Sequence, residues 1–334
     1  MGVNLTPIII KKEINLQDFR GRTLVIDGNA ELYQFTSSIR MPDGTLLKDS
    51  HGNITSHLVG LLYRSTRLIS NLGIRLIFVF NGVPPLLKKE EIEKRRRSKE
   101  KYTKEYQEAV IEGDIKRAMR KRVMTSGLTF PMIEDAKRLL QLLGIPYVQA
   151  ASEGEAQAAF IVKRKDAWAV GSMDYDSLLF GAPRLVRFIT FSGRRFLPGK
   201  GGFRSFRPEI IESDELFHHH QISLKQLIDI AILIGTDFNL GIKGIGPKTA
   251  LKLIKKYGSI EYLPESVRTR VSNHYQETRR IFYHPQVTED YSLKYSALDK
   301  RGLYTFLCKE RDFSRERVKM VVERMKAVTD SFIS

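Results

Sequence analysis

The sequence contains little of what stabilises secreted or membrane-spanning proteins. Its 334 residues include a single cysteine, Cys308, which can form no internal disulfide and lies in an apolar stretch typical of a protein core. No apolar run approaches the roughly 20 residues that span a bilayer, and residues 1–12 lack the regions of a signal peptide. We therefore expect no membrane association and a location in the cytoplasm or the nucleus.

Acidic residues are the scarcer charge. The chain has 38 Asp and Glu against 55 Lys and Arg, a formal net charge of +17 and a pI near 9.8. This excess favours a polyanionic partner, and nucleic acid is the first candidate. Basic runs at residues 94–97 and 120–122 lie in a segment, residues 88–122, that has few large apolar residues, so we expect solvated helices that project from the body.

The apolar patterns predict an α/β fold. Residues 24–28 and 76–82 each form an apolar run that ends in a polar residue followed by glycine, which indicates buried strands. Helical spacing across residues 56–72 predicts a crossover between them, and therefore a mostly parallel sheet with helices on both faces. Further patterns predict a helix at 133–143, strands at 144–148 and 167–171, and a basic loop or hairpin at 193–207.

A set of acidic and amide positions indicates the chemistry. Each is predicted to lie where a strand ends or a helix begins, at the edge where side chains converge above a parallel sheet. Clustered carboxylates repel one another, so we expect divalent cations to neutralise them. Two Mg²⁺ ions about 4 Å apart would activate water and stabilise the leaving oxygen of a phosphodiester. The positions are Asp27, Asn81, Glu153, Glu155, Asp174, Asp176 and Asp237.

Local structural roles are the alternative for these residues. Ser152 and Glu155 have the spacing of a helix capping box, and Asp176 could cap the helix that follows it. Capping does not require acidic sites at several corresponding ends of sheet elements, so we favour metal binding. Zinc is disfavoured because the sequence lacks a suitable His or Cys ligand motif. The histidines at 218–220 are predicted to form a surface turn.

Residues 241–250, Gly-Ile-Lys-Gly-Ile-Gly-Pro-Lys-Thr-Ala, form the most specific single motif. Gly244 and Gly246 permit a tight hairpin whose amides suit a DNA phosphate, and Lys243 and Lys248 add charge. The alternative is an ordinary glycine-rich turn. Apolar helical patterns on either side favour a helix-hairpin-helix module, which grips duplex backbone without reading sequence. A bulky side chain at either glycine is expected to strain the backbone.

Five motifs in order resemble the flap endonucleases of the XPG-like 5′ nuclease superfamily, most closely those of archaea. The resemblance covers nearly the whole chain, and it implies a PIN-like 5′ nuclease fold with a helical arch. It also implies a 5′ flap endonuclease and 5′–3′ exonuclease that cuts branched DNA in replication, during Okazaki fragment processing, and in base excision repair. The motifs are Val25-Ile26-Asp27-Gly28-Asn29, Val79-Phe80-Asn81-Gly82-x-Pro84-Pro85, Ser152-Glu153-Gly154-Glu155-Ala156, Asp174-Tyr175-Asp176-Ser177-Leu178-Leu179-Phe180-Gly181 and Gly235-Thr236-Asp237.

The resemblance implies two Mg²⁺ ions, for which Mn²⁺ can substitute. Its ligand scheme assigns Asp27, Glu153 and Glu155 to the first ion, with Glu155 bridging toward a second ion held by Asp174, Asp176 and, through water, Asp237. In the family an aspartate ligand of the first ion stands where this chain has Asn81. The amide keeps the shape but removes a charge, so metal affinity and rate should fall. We interpret Asn81 as an inactivating or weakening substitution, engineered to trap substrate or arising by natural divergence.

The resemblance also implies contacts with DNA. Lys88 and Arg95 match the basic pair that contacts the scissile phosphate from the arch, and Tyr33 matches the aromatic on which the displaced nucleotide stacks. Arg40 and Arg64 match duplex-contacting arginines, and Gly2 resembles the family's substrate-contacting N-terminus. The hairpin of the family binds a monovalent cation such as K⁺ through backbone carbonyls, here those of Gly241, Ile242 and Ile245.

We expect a monomer with one 5′ nuclease domain over residues 1–334. A sliding clamp is a partner in the family, but the Gln-x-x-Leu-x-x-Phe-Phe type of clamp peptide is not seen after Val328, so we expect a truncation there. The expected regions are the N-terminal nuclease region 1–85, the helical arch 86–131, the internal nuclease region 132–220, the helix-hairpin-helix module 221–262 and the C-terminal helical region 263–334.

Two other functions remain open. A catalytically silent DNA-junction binder would explain Asn81, although a long-silent site should have lost several carboxylates rather than one. An RNA-cleaving nuclease is disfavoured because a helix-hairpin-helix suits duplex backbone and no RNA-recognition signature is present.

Overall fold

A computed structural model describes residues 2–125, 127–190, 193–197 and 202–333 of the chain. Within them, seven strands form one sheet and two more form a separate antiparallel hairpin. The sheet strands are β1 (Lys12–Glu13), β2 (Thr23–Asp27), β3 (Arg75–Phe80), β4 (Tyr147–Gln149), β5 (Ala169–Gly171), β6 (Arg184–Arg187) and β9 (Glu209–Glu212); the hairpin strands are β7 (Gly193–Leu197) and β8 (Gly202–Phe206).

The sheet has the order β1-β9-β6-β5-β2-β3-β4. β2 lies between β3 and β5, and the pairs from β4 across to β6 are all parallel. β9 joins β6 antiparallel and carries β1 at the edge. The prediction of a mostly parallel sheet is therefore confirmed, and it brings the carboxyl ends of β2, β3 and β5 to one edge.

Alternating apolar residues give each face of the sheet its own core. Leu24 and Ile26 of β2 are fully buried in one core, whereas Val25 between them is fully buried in the other. The same alternation continues along β3, with Phe78 on the face of Leu24 and Val79 on the face of Val25. Because successive strand residues point to opposite faces, helices must cover both faces, as predicted.

Helices fill both layers and extend beyond them. No described helix has the combination of length and apolar character needed to cross a membrane. A π-helical turn, Leu61–Ser65, joins α2 to α3 without a break, so the helix predicted at 56–72 is confirmed. The helices are α1 (Gly28–Ser38), α2 (Ser56–Gly60), α3 (Thr66–Leu72), α4 (Lys89–Ile111), α5 (Ile115–Met124), α6 (Phe130–Leu142), α7 (Gly154–Lys163), α8 (Asp176–Leu179), α9 (Ser213–His220), α10 (Leu224–Ile234), α11 (Pro247–Tyr257), α12 (Glu265–Arg268), α13 (Tyr275–Tyr283), α14 (Lys300–Leu303) and α15 (Arg315–Ile333).

α4 and α5 form the solvated helical pair that the charge pattern predicts. α4 has 23 residues, which corresponds to about 34 Å, and Ala109 is its one buried residue. Polar contacts hold the two helices together: Lys121 of α5 pairs with Glu105 of α4, and its ammonium lies 5.2 Å from the ring centroid of Tyr102. Among the described side chains of the pair, the contacts are therefore mainly polar.

Three local predictions need correction or restriction. Residues 218–220 form the last turn of α9 and not a surface turn, because the helix that begins at Ser213 continues through them. The capping box does not form, because the Ser152 hydroxyl donates to the carbonyl of Val83 (2.8 Å) and Glu153 occupies the N-cap of α7. The basic segment 193–207 contains the β7–β8 hairpin, whose connection, residues 198–201, lies outside the described part of the chain.

A buried histidine in α2 has an unusual environment. His57 is fully buried, and neither ring nitrogen has a hydrogen-bond partner among the described residues. Burial, reinforced by the charge of Arg311, lowers the pKa of His57 from 6.5 to about 4. The folded protein therefore keeps the ring neutral at pH values where the unfolded chain protonates it.

We predict that His57→Leu removes a part of the acid sensitivity of folding. As the pH falls from about 6.5 to about 4, His57 binds a proton in the unfolded state but stays neutral in the folded state. The unfolding free energy of the unchanged protein should therefore fall by roughly 3 kcal/mol relative to that of the variant. Urea unfolding of both proteins across this window measures the difference, and other titrating groups cancel because both proteins share them. A difference that does not change with pH would contradict the prediction.

Candidate metal and nucleic-acid site

Ends of strands and helices position the acidic residues. Asp27 is the last residue of β2 and caps α1 by accepting from the Ala30 N–H (3.0 Å). Glu153 is the N-cap of α7, and Glu155 lies in the first turn of that helix. Asp176 begins α8, with Asp174 in the turn that follows β5. These five positions are where the sequence predicted them.

Asp237 reaches the site from a different kind of element. We expected it at the end of a sheet element, but it lies in the loop after α10, where Thr236 and Asn239 form an isolated bridge. Its side chain is about nine-tenths buried, with 11% exposure. Repulsion from Asp237 helps to raise the pKa of Asp176, so the loop does bring it to the cluster.

Burial and mutual repulsion make these carboxylates hard to ionise together. Burial, followed by repulsion from Asp174 and Glu153, raises the pKa of Asp27 to about 6, although the Ala30 N–H works against the shift. Burial, Asp237 and Asp174 raise the pKa of Asp176 to about 7. Burial and repulsion from Asp176 and Asp27 hold the pKa of Glu155 well above its usual range. These carboxylates therefore lie within electrostatic reach of one another, and ionising them together has a cost.

Asn81 follows β3 and lies at the N-terminus of α7. Its side-chain oxygen accepts from the Gly154 N–H (2.8 Å), between the two glutamates of that helix. The backbone of Asn81 is held on both sides, because its N–H donates to the Asn29 side chain (2.8 Å) and its carbonyl accepts from Gln149 (2.8 Å). The amide therefore occupies a fixed position beside the acidic residues without adding to their charge.

Two cations from the base of α4 face the cluster. The Lys88 ammonium lies 2.5 Å from Glu153 Oε2 and 3.3 Å from Asp237 Oδ2. Arg95 donates from Nη2 to Asp237 Oδ1 (2.6 Å) and from Nε to Glu91 (3.0 Å). Burial opposes the charge of Lys88, but Glu153 and Asp237 outweigh it and raise the pKa of the ammonium. The prediction that these residues reach the cluster from the side is matched by these contacts.

The donor set fits a divalent cation. Glu155 Oε1 is buried and has no hydrogen-bond partner among the described residues, which is costly for a polar oxygen. In this conformation no three acidic or histidine side chains of the described residues converge as ligands of one ion, since Glu153 and Asp237 face Lys88 and Arg95 instead. Oxygen ligands, excess negative charge and an unpartnered oxygen are features that suit a hard divalent cation.

Other predicted site residues surround the cluster. Gly2 lies against Asp176, because a Cβ on it would approach Oδ1 to 2.5 Å, and the next residue donates its N–H to the same oxygen (2.8 Å). Tyr33 is exposed on α1. Arg40 lies just beyond the end of α1 and donates to the carbonyl of Gly44 (2.8 Å). Arg64, in the π-helical turn, stacks on Phe35 of α1 at 5.3 Å from the ring centroid.

The glycine-rich loop connects α10 to α11 as predicted for a helix-hairpin-helix. Gly244 has φ +90°, whereas Gly246 has φ −96° and forms the N-cap of α11. Our expectation of strain therefore holds for Gly244 and is wrong for Gly246. A Cβ at either position would meet nothing within 4 Å, so both glycines border open space. Of the carbonyls predicted to bind a monovalent cation, that of Ile242 accepts from the N–H of Ile245 (3.0 Å).

Sequence reasoning missed residues that hold the predicted ones. Asn29 and Gln149 fix the backbone of Asn81, and Arg187 contacts the turn that carries Asp174. Asn29 has a signal, since it stands two residues after Asp27 in the same motif. Arg187 has none, because its partners come from distant segments.

Comparisons with known proteins agree with this geometry. Residues 1–102 match the XPG N-terminal domain and residues 144–237 match the XPG I-region. A flap endonuclease 1 of Staphylothermus marinus is 47% identical over 331 residues, which cover 97% of this chain and 94% of the relative.

Solved structures match over almost the whole chain. Flap endonuclease-1 from Methanococcus jannaschii has a TM-score of 0.79 and 41% identity, covering 99% of each chain. The catalytic core of Rad2 in complex with a DNA substrate shares the fold, with a TM-score of 0.70 and 20% identity over 96% of this chain and 97% of that one. With its parallel sheet and its acidic cluster at the strand ends, the chain belongs to the flap endonuclease family of metal-dependent, structure-specific nucleases.

Proposed function

We propose that this chain is a structure-specific 5′ flap endonuclease and 5′–3′ exonuclease that hydrolyses phosphodiester bonds of branched DNA. The observation that carries the proposal is the buried carboxylate cluster with Lys88 and Arg95 at its side. The name of its relatives and the net charge of +17 support a DNA substrate. Rad2, which has the same fold, has been solved with a DNA substrate.

The carboxylates would hold two Mg²⁺ ions, and Mn²⁺ could replace them because it accepts the same oxygen ligands. The first ion would be held by Asp27, Glu153 and Glu155, and the second by Asp174 and Asp176, with Asp237 acting through water. When bound, the two ions activate a water and stabilise the leaving oxygen. Lys88 and Arg95 would leave their carboxylate partners and donate to the scissile phosphate, so charge pairing is exchanged rather than lost.

DNA would extend from this cluster in two directions. Tyr33, exposed on α1, would stack the displaced nucleotide, while Gly2, Arg40 and Arg64 would contact substrate around that helix. The backbone amides of Gly244 and Gly246, which border open space, would hold the duplex backbone together with Lys243 and Lys248. A K⁺ ion bound by the carbonyls of Gly241, Ile242 and Ile245 would support the same hairpin.

Asn81 favours a weakened or inactive enzyme, and a catalytically silent junction binder is the second candidate. The amide holds Gly154 as a carboxylate would, so the site keeps its shape while losing one charge. For the nuclease we propose a monomer that acts in Okazaki fragment processing and base excision repair, with a sliding clamp as an additional partner.

We predict that Asn81→Asp raises Mg²⁺-dependent flap cleavage by about 10²-fold or more, because it restores an anionic metal ligand. Single-turnover cleavage of a labelled double-flap DNA measures the effect. Asn29→Asp is the matched control, since it adds the same charge on the residue that holds the Asn81 backbone. Equal rates for Asn81→Asp and the unchanged chain would sink the idea and favour the silent binder.

Lys88 should affect catalysis and metal binding in opposite directions. In the Asn81→Asp background, Lys88→Met is expected to slow cleavage at saturating DNA while changing DNA affinity by less than about tenfold. In the free protein the same change should tighten Mn²⁺ binding by at least about threefold, because a cation that competes for Glu153 is gone. Lys89→Met, an exposed neighbour, serves as the control. If Lys88→Met weakens DNA binding but leaves the saturated rate intact, Lys88 is only a binding residue.

The hairpin offers a test of duplex binding that leaves the fold intact. Gly246→Leu should weaken binding of branched DNA by about 1–3 kcal/mol, because the side chain would cover amides that hold phosphates. The backbone at Gly246 allows any residue, and Gly246→Ala should cost less. Titrations at several salt concentrations should also give a shallower dependence of affinity on salt. Unchanged affinity and salt dependence in a folded Gly246→Leu protein would reduce the motif to a simple turn.

A further inference from the structure

One guanidinium holds both sides of the turn that carries Asp174. Arg187, the last residue of β6, donates from Nε to the carbonyl of Met173 (3.0 Å) and from Nη1 to the Tyr175 hydroxyl (2.6 Å). Its guanidinium also stacks on the Tyr175 ring, 4.4 Å from the centroid. Arg187 is largely buried, with 13% side-chain exposure. The residues before and after Asp174 are thus fixed by one side chain.

Strand pairing fixes Arg187 itself. β6 and β9 pair antiparallel with Arg187 opposite Glu209, and the two side chains form an ion pair at 3.2 Å. The next residue, Phe188, has φ +61°, a left-handed conformation that is rare for a residue with a large side chain. Phe188 ends the strand and lies 4.9 Å, ring centroid to guanidinium, from Arg187. Strain of this kind persists only where surrounding contacts maintain it.

The N-terminal segment holds the same turn through two further contacts. The Val3 N–H donates to Asp176 Oδ1 (2.8 Å), and the Thr6 hydroxyl lies 3.3 Å from the Tyr175 hydroxyl. Tyr175 is 4% exposed, so its hydroxyl is enclosed between Thr6 and Arg187. Asp174 and Asp176 therefore belong to a turn that is held before any cation arrives, although their charges repel.

We propose that Arg187 is a positioning residue for the second divalent ion, acting through the Met173 carbonyl and the Tyr175 hydroxyl. The inference rests on the proposed two-metal function. Without Arg187 the turn would relax under the repulsion of Asp174 and Asp176, and binding the ion would have to restore it. Holding the ligands in advance removes that cost, as residues that orient metal ligands do elsewhere.

Mn²⁺ binding to the otherwise unchanged chain tests the proposal without relying on activity. In calorimetric titration, Arg187→Met should lower the affinity for one of the two Mn²⁺ ions by about 10-fold to 100-fold and leave the affinity for the other unchanged. Arg184→Met is the matched control: Arg184 lies on the same strand, and within the described part of the chain its hydrogen bond and ion pair, at 2.9 Å, go to Glu212 and not to residues 173–176. Its two affinities should match those of the unchanged protein.

Two further variants separate charge, geometry and folding. Arg187→Lys keeps the charge but cannot reach both the carbonyl and the hydroxyl, so it should show the same loss as Arg187→Met. Tyr175→Phe serves as the test if Arg187→Met does not fold. It removes only the hydroxyl and should still lower the affinity for the same Mn²⁺ ion, by a smaller factor. Two normal Mn²⁺ affinities in folded Arg187→Met, or in Tyr175→Phe, would overturn the proposal while leaving the two-metal function intact.

Failure of the proposed function gives a different result. If the unchanged chain and Asn81→Asp both bind no Mn²⁺ while remaining folded, the two-metal function is wrong, and the role of Arg187 falls with it. If Arg187→Met and Arg184→Met both lose affinity for both Mn²⁺ ions to the same extent, the specific role of Arg187 is also overturned. Such a result would reflect a general effect of strand β6.

Discussion

Burial of several carboxylates within reach of one another is the constraint on which this structure depends. Asp27 and Asp176 are buried, as is one carboxylate oxygen of Glu155, and the pKa of each of these residues is raised by repulsion from a neighbouring carboxylate. Without compensation the arrangement would be a defect, because like charges in a low-dielectric site destabilise the fold. The rest of the site supplies compensation: helix-end amides, two cations from α4, and a fixed frame of hydrogen bonds.

The frame and the cations do different things. Arg187 holds the backbone before Asp174 through the Met173 carbonyl, and the Val3 N–H holds the side chain of Asp176. Lys88 and Arg95 neutralise the charges of Glu153 and Asp237. They lie at the start of α4, a helix in which only Ala109 is buried. This division of roles suits a site that a divalent cation must enter. The carboxylate ligands stay in place, while Lys88 and Arg95, which neutralise them in the free protein, can be exchanged for the cation.

The sequence predicted the fold well because its signals are local. Alternation in residues 24–27 and 76–80 separates the two cores, and the helix between them has regular spacing. The grouping of most acidic residues followed from strand ends meeting at one edge. Asp237 was misplaced because the loop after α10 reaches the cluster through tertiary packing, which leaves no trace in its neighbours. Arg187 was missed because antiparallel pairing with Glu209 decides where it points. The roles of the site residues in catalysis stay predictions.

The length of α4 gives the ion pairs at its base an effect far from the site. Lys88 and Arg95 lie at its N-cap and within its first two turns, while the helix runs for about 34 Å to Ile111. A stiff rod attached at one end acts as a lever, so a tilt about Lys88 moves Ile111 about three times as far as it moves Arg95. A change in the ion pairs of Lys88 and Arg95 would thus be seen as a displacement of the far end of α4, where Ile111 and Ile115 are exposed.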